Sequence, residues 1–287
     1  MALSPKGRRG YAAGALALIA ALTLSACGSG DSGSSSGTTS ASASSAGDAG
    51  VKLVQPGKLT VCTNIPYEPF QFKDDSGKIV GFDVDIVDLA AKKLGVTQNI
   101  VDIDFAVIKS GAAMAAGKCD VAAAGMTITP ERQKNIDFSD PYFDATQALL
   151  AKKGTGAKSL EDVKAKNLKL GAQASTTGLD YVKKNGFNPT EYADSAKELL
   201  ALQAGQADVI VQDLPVVLTW LKKPEIAEKF ELVASLDTGE QYGIGLKKGA
   251  DPVLLKTINE EIAKAKQDGT YEKIYVKWFG KKPGELG

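Results

Sequence analysis

Two ten-residue stretches constrain this chain more than any other feature. AGKCDVAAAG (116–125) and AGQADVIVQD (204–213) share an Ala-Gly near one end, an Asp-Val in the middle and an apolar run after it. Each reads as a helix C-terminus, a glycine that ends it and a buried strand. Each also closes a run of alternating elements. Before the first, LTVCTN reads as a strand and FDVDIVDLAAKKLG as a helix, with Asp83 as its N-cap and Gly95 just past its end. Val84, Val87, Ala91 and Leu94 give that helix its apolar stripe. NIVDI is the next strand, AVIKSGAAMAAG the next helix, and CDVAAAGMT a nearly continuous apolar strand. The pattern then restarts: NLKLGAQ, TGLDYVKKNG, TEYA, SAKELLALQAG and ADVIVQD read as strand, helix, strand, helix and strand. Repeated βαβαβ order calls for a mostly parallel sheet with helices on both faces. The chain is therefore read as two α/β lobes. Helix-Gly-strand junctions are common, so the echo alone is modest evidence of duplication.

Ahead of the lobes the chain reads as a processing segment and a tether. Lys6, Arg8 and Arg9 form a positive n-region, and residues 11–24 form an apolar run too short for a comfortable membrane span. The run ends in Leu24-Ser25-Ala26-Cys27, which resembles a bacterial lipobox; this implies cleavage before Cys27 and lipid attachment there. The alternative is an ordinary Ala-x-Ala signal cleavage with Cys27 incidental. Arg8-Arg9 leaves Sec and twin-arginine export both open. Residues 28–50 are Gly, Ser, Ala and Thr with two aspartates, a composition that cannot bury a core and behaves as a flexible linker. The layout expected is a signal peptide over 1–26 and a tether over 27–50. The soluble body follows, held on the extracytoplasmic face of the cell membrane.

Composition narrows the function classes. Lys+Arg and Asp+Glu are both 34, so no basic face points to nucleic acid. The chain has no histidine, which removes His-based triads, the usual zinc clusters and the commonest general base. DVDIVD (83–88) lacks the turn glycine and distal glutamate of an EF-hand. No P-loop or dinucleotide-binding glycine pattern is present. No metal and no cofactor is expected.

Gly125 and Asp213 fall at equivalent carboxyl ends of the two echoed strands, where open α/β sheets bind ligands. Just beyond Gly125, Thr129 and Pro130 look like an N-cap and first helical residue, which places Arg132 in a helix first turn. A cation there is unfavourable unless an anion joins it. Two readings stay open from the residues alone. Arg132 is either a surface residue paired with Glu131 or a neighbouring aspartate, or a two-pronged grip on a carboxylate. If the lobes face each other, one wall offers a cation and the other, through Asp213, an anion. A free α-amino acid satisfies both.

YEPFQFKDDSGKIVGFDVDIV (67–87), AAGMTITPERQKNIDFSDPYF (123–143), QADVIVQDLP (206–215) and EQYGIGLKKG with DGTYEKIYVKWFG (240–280) carry a family resemblance over nearly all of residues 58–280. They are similar to the polar-amino-acid substrate-binding proteins of bacterial ABC importers (solute-binding protein family 3). Asp213-Leu214-Pro215 and the C-terminal block look most like its glutamine-binding members. The resemblance implies a two-lobed periplasmic-binding-protein-like fold of type II, with crossover strands near 143–147 and 238–242. Lobe one would then comprise 51–145 and 241–287, and lobe two 146–240. Tyr271, Ile274, Tyr275 and Trp278 would pack one face of a C-terminal helix.

Carried over by position, the resemblance implies that Arg132 holds the ligand α-carboxylate and Asp213 its α-ammonium. Gly125, Met126 and Thr127 would line the head-group wall, and Thr176 and Thr177 would reach across on closure. Ser175 stands where the family usually has glycine. Tyr67 and Phe105 would sandwich the ligand side chain; ordinary core packing is the alternative for each. Asn64 stands where basic-ligand members tend to have aspartate, and Gln173 and Gln212 near the same subsite are also amides. Burying a cationic tail against neutral partners is costly. A polar, uncharged, glutamine-like ligand is therefore expected, although Glu68 and Asp104 could serve a basic one. Expected partners are a free amino acid, an ABC permease with its ATPase subunits, and the membrane through Cys27; the binding protein itself would be a monomer. A dehydratase-type enzyme or a ligand sensor on the same fold is the alternative. The first needs a positioned acid and base, for which no natural pair is evident. The second is usually fused to transmembrane or kinase segments, and none is read after Gly287. Cys62 and Cys119 sit on strands expected to neighbour each other, but Cys62 lies deep in its strand and Cys119 at the start of its own. Disulfide and free thiols both stay open.

Overall fold

A computed structural model of the protein describes residues 50–286. Cys27, the apolar N-terminal run and the tether up to residue 49 lie outside the described residues. In chain order the first elements are β1 (Lys58–Thr63), β2 (Phe72–Lys73), β3 (Ile79–Val80), α1 (Phe82–Lys93), β4 (Thr97–Asp102), α2 (Phe105–Lys109), α3 (Ala112–Ala115), β5 (Val121–Ala122), α4 (Pro130–Gln133) and β6 (Ile136–Phe138). Then come β7 (Phe143–Lys152), α5 (Leu160–Ala165), β8 (Leu170–Gln173), α6 (Thr177–Lys184), β9 (Thr190–Tyr192), α7 (Ser195–Gln203), β10 (Val209–Asp213), α8 (Leu214–Trp220) and α9 (Pro224–Ala227). The chain ends with β11 (Phe230–Tyr242), β12 (Gly245–Lys247), α10 (Pro252–Asp268) and α11 (Thr270–Phe279).

Two five-stranded sheets carry the two lobes, in the orders β4-β1-β5-β12-β6 and β9-β8-β10-β7-β11. In each, three strands run parallel and two antiparallel strands extend one side. The order of the parallel strands is the same in both lobes, which gives the sequence echo its physical content. Gly117 and Gly205 both take left-handed φ, +67° and +71°, to end the preceding helical segment. The shared aspartates then satisfy backbone donors of the adjoining segment. Asp120 Oδ2 accepts from Thr60 N–H at 2.7 Å, and Asp208 Oδ2 from Lys169 N–H at 2.9 Å.

The crossovers are β7 and β11, paired antiparallel with Tyr242 opposite Phe143 and Phe230 opposite Lys152. Ladder register slips between Leu236 and Glu240, where Gly239 adopts φ +64°. Aromatic rings fill lobe one around Phe70, Phe82, Phe143 and Phe279, with centroid separations of 5.0–6.2 Å among these four. Each ring buried in this way contributes roughly 1.5–3 kcal/mol of transfer free energy. The C-terminal stripe behaves as expected: Tyr275 is buried, and Tyr271, Ile274 and Trp278 pack against the core.

The structure corrects four local expectations. Asp83 does not cap α1; Gly81 takes that place at φ +144°, where an added Cβ would lie 2.0 Å from the Phe70 carbonyl oxygen. Val84 is only half-buried, and Ile86 and Ala90 complete the inner face beside Val87 and Ala91. The helix expected over AVIKSGAAMAAG is two short ones, broken where Gly111 turns at φ +79° against the Asn135 carbonyl. CDVAAAGMT is buried almost throughout but pairs as a strand only at Val121–Ala122, because the chain turns at Gly125 (φ +53°). The open cysteine question closes: Cys62 and Cys119 form a disulfide with Cα atoms 5.6 Å apart. The chain turns at Gly117 just before Cys119, so the offset along the strands does not separate the pair.

Candidate functional site

A cavity of about 360 Å³, its mouth included, lies between the lobes. Lobe one lines it with Asn64, Tyr67, Gln71, Phe105, Gly125, Thr127 and Arg132; lobe two adds Gln173, Thr176, Thr177 and Asp213. The turn after β5 delivers Gly125 and Thr127. A Cβ on Gly125 would lie 2.9 Å from the Tyr67 ring, so the turn and the ring need a glycine between them. Arg132 sits in α4, whose Thr129 cap accepts from the Arg132 N–H at 3.1 Å.

Arg132 is 7% exposed and has no carboxylate in ion-pair range among the described residues. Its Nη1 donates to the Thr127 carbonyl at 2.8 Å, and its guanidinium lies 5.4 Å from the centre of the Phe105 ring. Burial pulls its pKa down, against the fields of Glu240, Asp180 and Asp213. Asp213 ends β10 and is also 7% exposed. Its carboxylate accepts only from neutral donors: the Tyr67 and Tyr242 hydroxyls and the Gln147 amide. Burial pushes it up to about 6, and those donors hold it from going higher. One cavity thus faces a buried cation and a buried anion on opposite lobes. Neither has an ionic partner among the described residues, and an uncompensated buried charge is expensive.

The lobes meet across the cleft. Arg132 Nη2 reaches the Ser175 carbonyl at 3.4 Å, the Thr127 and Thr177 hydroxyls lie 3.4 Å apart, and the Tyr67 hydroxyl lies 2.9 Å from Gln212 Oε1. Ser195 donates to the Pro66 carbonyl at 2.6 Å. Ser175 takes φ +70°, the left-handed geometry a glycine adopts at no steric cost. The loop therefore keeps the shape that glycine would give it. Thr176 caps α6: it accepts from Leu179 N–H at 3.1 Å and donates to the Gln173 carbonyl at 2.8 Å. The open end of α6 thus faces the cavity, a favourable place for a carboxylate.

Of the residues singled out from sequence, Asn64, Tyr67, Phe105, Gly125, Thr127, Arg132, Gln173, Thr176, Thr177 and Asp213 come together here. Met126 does not. It is fully buried beside Ile136 and Gly245 in the core, because alternate residues of the turn face opposite ways. The Gly125 N–H is also spoken for, since it donates to Asp83. Sequence reasoning missed Gln71, which lines the cavity, and Tyr242, Gln147 and Glu240 around Asp213 and Thr177. A polar residue inside an apolar run marks two of them, as in PFQF and ATQALLA. It also missed Glu198, fully buried on α7, which accepts from Gln212 Nε2 at 2.8 Å. Burial holds its carboxyl well above the ordinary range.

Two α/β lobes joined by paired crossover strands enclose one cavity that a buried cation and a buried anion face from opposite walls, the arrangement of a two-lobed small-molecule-binding protein. The chain belongs to the bacterial extracellular solute-binding proteins, family 3, whose model matches residues 59–281. The ABC transporter glutamine-binding protein GlnH of Bacillus subtilis is 35% identical over 73% of this chain and 76% of its own. The L-cystine-binding protein TcyJ of Escherichia coli is 31% identical over 80% of this chain and 85% of its own. An ancestral arginine-binding protein, 43% identical, has been solved bound to glutamine (TM-score 0.73, 79% of this chain and 100% of that one) and bound to arginine (0.72, 78% and 99%). The protein is thus an amino-acid-binding member of an ABC transporter family.

Proposed function

We propose that this protein is the lipid-anchored, extracytoplasmic receptor of an ABC amino acid importer. It captures a free polar L-amino acid by closing lobe two onto lobe one, and releases it unchanged to a permease driven by separate ATPase subunits. The observation that carries this is the pair of buried, ionically unpartnered charges, Arg132 on one wall and Asp213 on the other. An α-carboxylate and an α-ammonium neutralise both at once, each by a charge-assisted hydrogen bond. Contacts to lobe two exist only in the closed form, so the ligand favours closure by differential affinity.

The side-chain subsite favours an uncharged ligand such as glutamine. Its polar walls are the amides Asn64, Gln71 and Gln173. Gln71 Oε1 and Gln173 Oε1 are buried without a hydrogen-bond partner, and a ligand amide NH2 would supply donors to them. The two carboxylates able to serve a cation are engaged elsewhere. Glu68 lies 3.6 Å from Lys223, and Asp104 caps α2 by accepting from Ala106 N–H at 2.7 Å. A basic amino acid is the second reading, favoured by the aromatic walls Tyr67 and Phe105 and by the ancestral relative's two bound ligands. Calorimetry with glutamine, arginine, histidine and cystine separates them; tight arginine binding without glutamine binding would overturn the uncharged reading. Mass spectrometry of the small molecule that co-purifies gives an independent answer. The proposed layout has a signal peptide over 1–26, a tether over 27–50 and a monomeric body. It predicts that Cys27→Ser releases the protein from membranes into the medium.

A further inference from the structure

Asp83 has an environment that a helix-capping or solvent-facing aspartate would not need. It is 1% exposed in the first turn of α1 and has no ion pair among the described residues. Oδ2 accepts from the Gly125 N–H at 2.7 Å, and Oδ1 accepts from the Tyr142 hydroxyl at 2.7 Å. Its own N–H donates to the Phe70 carbonyl at 3.0 Å, and Phe70 N–H closes back on Tyr67 at 2.9 Å. Tyr142 immediately precedes the first crossover strand, where its N–H meets the Tyr242 carbonyl at 3.0 Å and its carbonyl accepts from the Tyr271 hydroxyl at 2.6 Å. Asp83 therefore ties together three places: its carboxyl joins the turn bearing Gly125 to the root of the hinge, and its backbone N–H holds the turn bearing Tyr67. Burial pushes it up to about 7, against those two donors, so the fold keeps the group despite its cost. The Gly125 turn leads directly to the Thr127 carbonyl that accepts from Arg132 at 2.8 Å. A shift of Gly125 is thus passed on to the guanidinium, and since even an added Cβ would lie 2.9 Å from the Tyr67 ring, the turn has little slack on that side.

We propose that Asp83 is a positioning residue of the ligand site: its carboxyl locks the Gly125 turn, and through it sets the placing of Arg132 and Tyr67 toward the ligand. This rests on the amino-acid-binding reading of the cavity. Three variants test it by calorimetry with glutamine and arginine. Asp83→Leu keeps the bulk and removes the acceptor; affinity for whichever amino acid the wild type binds falls at least thirtyfold. Asp83→Asn keeps an acceptor oxygen for the Gly125 N–H and recovers at least tenfold of that loss. Tyr142→Phe removes the other bond of the same carboxyl and changes affinity less than threefold. Losses of affinity in Asp83→Leu and Tyr142→Phe that merely track their loss of thermal stability would overturn the proposal. Hydrogen exchange of the Gly125 amide is read without ligand. It should accelerate at least tenfold in Asp83→Leu while the Ile128 amide, bonded to the Gln241 carbonyl at 2.8 Å, holds its rate. Uniform acceleration would sink the idea, and if Asp83→Leu does not fold, Asp83→Asn is compared with Tyr142→Phe: its amide oxygen is a weaker acceptor than a carboxylate, so a smaller but still selective Gly125 acceleration is expected only in the former. A wild type that binds no amino acid overturns the reading of the cavity, whereas an unmoved Gly125 amide overturns the role of Asp83.

Discussion

Lobe one is packed around aromatic rings, and lobe two around aliphatic side chains. Among the described residues, every ring–ring contact involves lobe one, the crossovers or the C-terminal helix, in a cluster reaching from Tyr67 to Phe279. The second lobe fills its separate cluster with Leu149, Val163, Leu179, Val182, Val209 and Val211. Lobe one also has the disulfide, and its Asp83 node fixes the cavity wall from behind. Lobe two brings the other wall: the cap of α6, with Thr177, and Asp213, whose tyrosine partners both come from outside the lobe-two core. The comparison teaches a division of labour on one shared strand order. Under the proposed function, the aromatic lobe would hold the ligand carboxylate through Arg132, and the aliphatic lobe would supply the ammonium site through Asp213.

Breaking the platform should cost most. Arg132→Ala removes the cation that meets the ligand first, and affinity should fall by roughly 3 kcal/mol or more, over a hundredfold, in calorimetry. Asp213→Asn acts on the other side of the cleft. It should weaken binding less and should selectively impair closure, so that small-angle scattering sees less compaction at saturating ligand than in wild type. Equal compaction in both would argue against the division. Replacing Cys62 and Cys119 by alanine together should cost about 2–4 kcal/mol in denaturant unfolding, since the bond closes a loop spanning a sequence separation of 57. That loss should fall on lobe one, with amide protection in the lobe-two core little changed.

Acid sharpens the comparison in a different way. Asp213 sits at about 6 in the unliganded protein and must be charged to pair with an ammonium. Affinity should therefore be flat above that value and fall by up to about tenfold per unit as pH drops below it. For stability the sign is opposite. A carboxyl raised by burial favours its neutral form, so Asp83 (about 7) and Asp213 make the unliganded fold less stable as pH rises from the ordinary carboxylate range through those values. Asp83→Asn should flatten its share of that slope in urea titrations. The smallest effects belong to the loop and cap of lobe two. Thr177→Val deletes the 3.4 Å contact with the Thr127 hydroxyl across the cleft and the 2.9 Å bond to Glu240, and should cost about 1 kcal/mol of ligand affinity. Ser175→Gly relieves a left-handed serine and should raise the melting point slightly, by up to about 1 kcal/mol of stability.

Much of the site was legible before any coordinates. Arg132 could be put in a helix first turn because a Thr-Pro pair fixes a helix start, but whether a ligand or a neighbouring carboxylate would meet it stayed open from the residues alone. Asp213 could be placed because it ends the echoed strand. The misreadings were of a different kind. Asp83 looked like a cap because local pattern scores only neighbours in sequence, while its real partners lie 42 and 59 residues away. Met126 sat inside the right motif on the wrong face of its turn. Glu198 gave no local sign of burial, nor Glu240 of its bond to Thr177.

What the sequence determined by itself is the periodic part: two βαβαβ runs, their glycine stops, the Thr129 cap and the equivalent strand ends at Gly125 and Asp213. Those depend on interactions within a few residues, and residue type alone encodes them. Only the tertiary structure decided that Cys62 meets Cys119, that Arg132 and Asp213 share one cavity without ionic partners, and that Asp83 turns inward. These are meetings of segments dozens of residues apart. Chain closure and packing select them, because the free energy of a buried charge depends on what the rest of the fold brings to it.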